Sequence, residues 1–487
     1  MRQFSLTVLR NSIFGAVAQL GIKVLSFAFS ILVIRRLGAQ AFGQYSAVLA
    51  FGSIFAVISD LGLSAYSVRQ IARSRDDPTG MDKIQALYSN VLALRLLLSV
   101  FTAVVLILAA WLTGRPSVMV AAIALNTLGL IMYAVQGSSD AALAGFERLD
   151  VAAGAKVLNQ FVFVVAGAVV LWLGWGYFGL IIANLLAIAC MTWMCWRAVR
   201  SLGVRPGRVA RQVWPTLLRV SLPFGVIGFA LGLSYKFDSV LLNIYRGDAE
   251  TGYYSAVYNL IFSAVLLSNV FNTALYPSLA RQAVSAPHRL PVIYEHALRY
   301  LMALSLPIAV GTWVLAEQIV PFLFDAAYLP SVPAFQILIW VVPLMFASEF
   351  LGYVVVISGQ EQHVARAIIV STGLNVIMNL LLVPQYGFIA ASMMTLATEA
   401  VLVGQYVWML RALLRKMNLG TSLVRPLLAA LCMGALMFLL RSSVPLLVNI
   451  TLGVVAYFVL AWLLGVLGKE EWRLIRNMHS SAEITGS

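Results

Sequence analysis

Apolar stretches of roughly 18 to 28 residues, each long enough to cross a bilayer as a helix, follow one another along almost the whole chain. They begin near Thr7, Ala41, Ile84, Val118, Val151, Phe178, Thr216, Gly252, Ala297, Val332, Val364, Phe388, Pro426 and Pro445. The pattern predicts an all-α membrane protein of about fourteen spans, six plus six plus two. One motif is written twice: Gly38-x4-Gly43-x-Tyr45-Ser46-Ala47-Val48 returns 209 positions later as Gly247-x4-Gly252-x-Tyr254-Ser255-Ala256-Val257. Two weaker echoes pair Gly179-Leu180-Ile181-Ile182-Ala183 with Gly387-Phe388-Ile389-Ala390-Ala391, and Gly145-x-Glu147 with Gly359-x-Glu361. An internal repeat of this length predicts two pseudo-symmetric six-helix bundles. An even number of helices carries the second copy into the membrane in the orientation of the first, so the relating axis runs along the membrane normal. The expected divisions are a first bundle at 1–200, a basic cytoplasmic linker at 201–212, a second bundle at 213–415, two further spans at 416–468 and a cytoplasmic tail at 469–487.

Composition agrees with a membrane solvent. With 61% hydrophobic and 11% charged residues over 487 positions, the chain has too little polar surface to close as a water-soluble globule. Its 33 Lys and Arg are distributed unevenly. With both termini in the cytoplasm, 25 fall on inner segments, five (Arg35, Arg36, Arg115, Arg246, Arg441) on outer ones and three inside spans. This is the bias that basic loops impose on orientation, and it explains the net charge of +14 without nucleic acid as a partner. The longest basic connection, 197–211, is expected to act as an inner-surface anchor touching anionic lipid. The first apolar run has no A-x-A type cleavage site and is expected to stay as a membrane helix. Cys190, Cys195 and Cys432 fall within spans without ligand spacing, which predicts buried, inert thiols. Span interiors contain Pro223, Pro307 and Pro343 only after the first six helices, with Pro277 near the end of the eighth, so the second half is expected to be the more kinked.

Ionisable groups inside spans are costly and persist where they meet water or a partner. In the first span Ser12, Gly15, Gln19, Lys23, Ser26 and Ser30 form a polar stripe at steps of three and four; in the seventh, Ser221, Gly225, Gly228, Gly232, Lys236, Ser239 and Asn243 form another. Two such faces turned toward each other would line a cationic cavity with Lys23 and Lys236, joined by Arg95, Gln19 and Asn272. The competing reading is helix packing by small and polar residues. Asp60, Asp238, Glu349 and Glu399 are the candidate membrane carboxylates, serving either ion coupling or structure by neutralising a buried base. Asp238 lies about 200° around its helix from Lys236 and is expected to brace a neighbouring helix instead. The four His, at 288, 296, 363 and 479, assemble no catalytic or metal-binding set, so neither enzyme chemistry nor a cofactor is expected. Asn449-Ile450-Thr451 fits a glycosylation sequon but lies too close to its span to be used.

The runs R-R-L-G-A-Q-A-F-G-Q-Y-S (35–46), D-L-G-L (60–63) followed by Arg69, A-G-F-E-R (144–148) and Y-K-F-D (235–238) ahead of Gly247 resemble the oligosaccharide flippases of polysaccharide biosynthesis, in the superfamily of multidrug exporters and peptidoglycan lipid flippases. The resemblance spans about residues 5 to 467. It implies a V-shaped pair of six-helix bundles, alternating access and a polyprenyl-diphosphate-linked oligosaccharide carried from the inner to the outer leaflet of the cell membrane. It also implies a monomer working beside a glycan polymerase or glycosyltransferases. The alternatives are a cation-coupled multidrug exporter, a peptidoglycan lipid flippase and a membrane glycosyltransferase or polymerase. Lys23 in the first span weighs against the exporter, and short, charge-poor outer loops weigh against the enzyme.

Overall fold

A computed structural model describes residues 2–75, 77–285, 288 and 290–466, with side chains from Gly21 onward except at scattered positions between 227 and 289. Regular structure among the described residues is helical. Its main elements are α1 (Arg2–Asp60), α2 (Leu63–Ser74), α3 (Gly80–Leu112), α4 (Ser117–Gly145), α5 (Leu149–Trp172), α6 (Gly176–Ser201) and α7 (Trp214–Tyr245). They continue as α8 (Asp248–Ser285), α9 (Leu290–Leu323), α10 (Val332–Leu338), α11 (Val341–Ile357), α12 (Glu361–Met409), α13 (Arg411–Leu414), α14 (Arg425–Leu440) and α15 (Leu446–Leu463). Among the described residues ten helices are long and apolar enough to cross a bilayer, or eleven if Ala326–Leu338 and Val341–Ile357, bent by 40°, form one broken span. Fourteen were expected, and part of the difference lies at two glycines. Gly38 (φ 73°, ψ 170°) in α1 and Gly387 (φ 60°, ψ −144°) in α12 are non-helical points inside single long helices, each joining two apolar runs that read as separate spans.

Left-handed backbone recurs in order along the chain. Gly38 and Gly247, Gly114 and Asp325, Glu147 and Gly359, and Gly176 and Gly387 all have positive φ, each pair 209 to 212 residues apart. The first pair is the motif repeat as expected. The two weaker echoes are out of register: Gly359 corresponds to Glu147, not Gly145, and Gly387 to Gly176, not Gly179. What repeats is the turn conformation, whereas Gly145 and Gly179 are small for packing reasons, because a Cβ would press on Ile71 in the first case and on Val170 and Trp175 in the second.

Contacts gather the chain into two compact units, Met1–Ala256 with Thr372–Ala391, and Val257–Ser371 with Ser392–Ser487. This grouping divides the chain elsewhere than the 201–212 connection does, since α7 lies with the first unit. The reason is close backbone packing of α7 on the end of α1. A Cβ on Gly225 would fall within 2.9 Å of the Leu61 backbone, and Gly228 and Gly232 meet Val57 at 3.5 and 3.4 Å. In the second unit α9 carries α11, α14 and α15. Gly434 faces Val310, Gly453 faces Met437, and Tyr457 Oη donates to the Ala303 carbonyl at 2.7 Å. The last two helices are therefore packed into this unit. Asn449 is fully buried and donates to the Met437 carbonyl at 3.0 Å, so the sequon serves packing. Pro223, Pro307, Pro321 and Pro384 lie inside helices, whereas Pro343 stands in the first turn of α11, just after the 40° bend. Of the three free thiols only Cys195 is buried. Cys190 is half-buried, and Cys432, expected inside, is exposed on α14 alongside exposed Leu428, Leu431 and Leu439.

Candidate functional site

The two copies of the repeat motif interlock within the first unit. A Cβ on Gly43 would overlap the Asp248 carbonyl, and a Cβ on Gly252 would overlap the Ala39 carbonyl. Each motif thus uses its first glycine for a left-handed turn and its second to admit the residue just after the other copy's turn. Polar bonds surround the crossing. Asp248 accepts from Gln44 Nε2 at 2.8 Å and from Asn243 Nδ2 at 2.7 Å, and Arg115 donates to the Asn243 carbonyl at 3.1 Å. Beside it Glu250 pairs with Arg246 at 2.9 Å and accepts the Phe388 N–H at 3.3 Å. Gln44 did not stand out in the sequence because its partner lies 204 positions away. Beside the motif glycines, the i, i+4 spacing of Arg246 and Glu250 was a legible local signal that went unread.

Arg95, expected to line a cavity, is only 5% exposed. Its Nη2 lies 3.2 Å from Asp60 Oδ1, Nη1 donates to Ser64 Oγ at 2.7 Å, and the guanidinium lies against Gly137, where a side chain would displace it. Ser64 in turn donates to Asp60 Oδ1 at 2.6 Å. The result is a hydrogen-bonded ion pair between buried Arg95 and half-buried Asp60, tying the end of α1, the start of α2 and α3 together. Asp60 neutralises a base, as one of its two readings had it; Ser64 and Gly137 complete the arrangement.

Lys23 is exposed on α1, next to exposed Val24 and Leu25. The stripe serines Ser26 and Ser30 turn back onto carbonyls of their own helix, at 2.7 and 2.8 Å. Gln19 lies outside the described side chains. On α7, the stripe from Gly225 to Gly232 packs on Val57 of α1 and on Leu61 just beyond it, so these positions serve helix contact where a face turned toward the Lys23 stripe was expected. Lys236 follows one turn later and is half-buried. By the 209-residue motif register Lys23 corresponds to Gly232, one turn short of Lys236. Asp238, 1% exposed, accepts from the Ser239 N–H at 2.8 Å and from Tyr254 Oη of α8. It braces a neighbouring helix through the tyrosine of the second repeat motif.

Asn272 belongs to the second unit and is not grouped with Arg95 or Lys236. It is 2% exposed and donates to Ser268 Oγ at 3.0 Å, leaving its Oδ1 without a hydrogen-bond partner among the described residues. One turn of α8 away, Asn269 donates to Glu349 Oε1 at 3.3 Å, while Glu349 Oε2 is buried without a partner. Glu399 accepts from the hydroxyl of Ser348, the residue next to Glu349. Neither acid pairs with a base among the described residues. The same unit holds an apolar groove of about 500 Å³ between α9, α14 and α15, walled by Tyr300, Leu304, Pro307, Met437, Tyr457 and Phe458. In a bilayer such a groove is filled by hydrocarbon.

Helices long and apolar enough to cross a bilayer, with two interlocked copies of one motif and ionisable groups among them, define a polytopic all-α membrane protein. The family model described as "Polysaccharide biosynthesis protein" matches residues 8–282, and the chain belongs to that family. No curated protein sequence matches it. Among solved structures it is similar to the lipid II flippase MurJ in an inward closed conformation, at 12% identity and TM-score 0.79, over 93% of this chain and 99% of that one. An inward-facing multidrug resistance MATE family transporter of the MOP superfamily aligns at 16% identity and TM-score 0.64, over 83% and 100%. A MOP superfamily transporter from Pyrococcus furiosus, described as having a binding pocket of reverse polarity, aligns at 15% identity and TM-score 0.53, over 82% and 94%. At these identities the likeness is one of fold.

Proposed function

We propose that this protein is a flippase that moves a polyprenyl-diphosphate-linked oligosaccharide from the inner to the outer leaflet of the cell membrane by alternating access. In this reading both termini are cytoplasmic, the two repeats are the moving bodies, and the working form is a monomer beside glycan-assembling enzymes. Family membership supports a role in polysaccharide biosynthesis. The observation that carries the cargo assignment is Lys23, an exposed cation amid exposed Val24 and Leu25 on a helix apolar enough to span. A lysine persists there when it faces water or an anion. A diphosphate supplies the anion, since its oxygens accept charge-assisted hydrogen bonds. Lys236 is the second cationic contact, and the lipid tail stays in hydrocarbon while the headgroup crosses.

The membrane potential supports this direction. A diphosphate diester carries about two negative charges, so an inside-negative potential of 100 mV favours outward movement by roughly 4.6 kcal/mol if the charge crosses unneutralised. The test is flipping of a fluorescent lipid-linked sugar in proteoliposomes with a potassium diffusion potential and no sodium or proton gradient. Lys23→Ala and Lys236→Ala are expected to abolish flipping in folded, inserted protein, and Arg at either position to retain more than Ala. Full transport by both Ala variants would remove these residues from the path. A second reading, cation-coupled export, is favoured by the base-free pair Glu349 and Glu399. It predicts that an imposed ion gradient drives transport, that the potential alone does not, and that Glu399→Gln removes the response.

A further inference from the structure

The basic connection between α6 and α7 is mounted on α3 by its backbone. Gln85 Nε2 donates to the Gly203 carbonyl at 3.0 Å, the Gly207 N–H to Ser89 Oγ at 2.7 Å, and the Ala210 N–H to Asn90 Oδ1 at 2.9 Å. The Trp214 indole donates to the same Asn90 oxygen at 3.3 Å. Asn90 Nδ2 is fixed on the Ala86 carbonyl at 2.8 Å, so the bracket is itself held. Val204 is fully buried among Ile71, Ile84, Tyr88 and Val199. A connection needed only for topology requires none of these bonds, because the orientation rule counts charges and is indifferent to their placement.

The mounting fixes where the charges stand. Arg205, Arg208 and Arg211 are all exposed, and none pairs with a carboxylate among the described residues. Arg197 lies over the Trp193 ring at 5.5 Å, Arg200 over Trp196 at 4.6 Å and Arg211 over Trp214 at 5.9 Å. Trp193 is 58% exposed. Tryptophan settles at the headgroup level of a membrane, so guanidinium groups stacked on it are held at phosphate depth. Three residues of extended chain set successive arginines up to about 10 Å apart. A spacing near that limit suits a row of separate phosphates.

We propose that residues 202–213 form a preorganised strap that binds the phosphate groups of anionic phospholipids, with Asn90 as its positioning residue. The strap holds a short row of lipid headgroups against the inner ends of α3, α6 and α7. Its selectivity for anionic lipid rests on the mounted geometry as well as on net charge.

The experiment is native mass spectrometry of the full-length protein in detergent, titrated with short-chain phosphatidylglycerol or phosphatidylcholine. Native protein is expected to retain phosphatidylglycerol selectively. Replacing Arg205, Arg208 and Arg211 with Gln is expected to weaken that retention on the order of a hundredfold, from the usual strength of one basic residue near an anionic surface. Asn90→Leu keeps every charge, and with it the topology signal, while removing the bracket; it is expected to weaken retention at least about fivefold, the equivalent of one lost arginine contact. Unchanged retention by folded Asn90→Leu would overturn the strap's geometric role, and unchanged retention by the triple variant would overturn the strap itself. Displacement of phosphatidylglycerol by farnesyl diphosphate at far lower concentration would show a single-diphosphate site and overturn the lipid assignment.

Discussion

Asp60 in the first unit and the pair Glu349 and Glu399 in the second are acids within apolar helices, and their surroundings compensate them in opposite ways. Asp60 faces a guanidinium at 3.2 Å and a hydroxyl at 2.6 Å. Among the described residues Glu349 and Glu399 have amide and hydroxyl donors, no base, and one carboxylate oxygen without a partner. A buried ion pair locks a charge state, because removing either member strands the other. Acids held by neutral donors can change charge state without leaving an opposite charge behind. The first arrangement fixes a charge in place; the second is the feature on which the alternative, cation-coupled reading rests.

Breaking the ion pair gives the largest expected effect. Arg95→Ala leaves Asp60 without its base and is expected to lower stability by about 3 to 5 kcal/mol, read as thermal unfolding in detergent. Adding Asp60→Asn to Arg95→Met should recover most of that loss; no recovery would mean that Arg95 acts through something other than its charge. Next comes Ser348→Ala, which removes the hydroxyl donor from Glu399 and is expected to cost about 1 to 3 kcal/mol. The smallest effect is expected from Glu399→Gln, near isosteric and still able to bond Ser348, at below about 1.5 kcal/mol and with potential-driven flipping retained. A loss there as large as that of Arg95→Ala would erase the contrast between the two units.

The class of fold was legible because apolar runs and basic loops are one-dimensional signals. So was the motif repeat, since Gly38 and Gly247 are fixed by a backbone conformation that few other residues accept. The weaker echoes misled because the turns keep positive φ with Glu147 and Asp325 in place of glycine, while Gly145 and Gly179 are small for another reason. Asp238 could be assigned to a neighbouring helix from helical angles alone, but nothing local named Tyr254. The stripe on α7 looked like a cavity wall because glycines that admit water and glycines that admit a helix look the same in sequence. The mounting of the strap was invisible for a similar reason, as its bonds join residues 118 to 124 positions apart.

The reciprocal seating of Gly43 against Asp248 and Gly252 against Ala39 has the form of an isologous interface, in which residue i of one copy meets j of the other and j meets i. Proteins acquire such contacts as two-fold homodimers. The first unit can thus be viewed as a dimer seam sealed inside one polypeptide, with the strap as the covalent tether that replaces a second-order encounter by an effective concentration. Once tethered, the copies no longer had to remain identical, and the seam records the divergence. Asp248 of the second copy, which accepts from Gln44 and Asn243, stands where the first copy has Ala39.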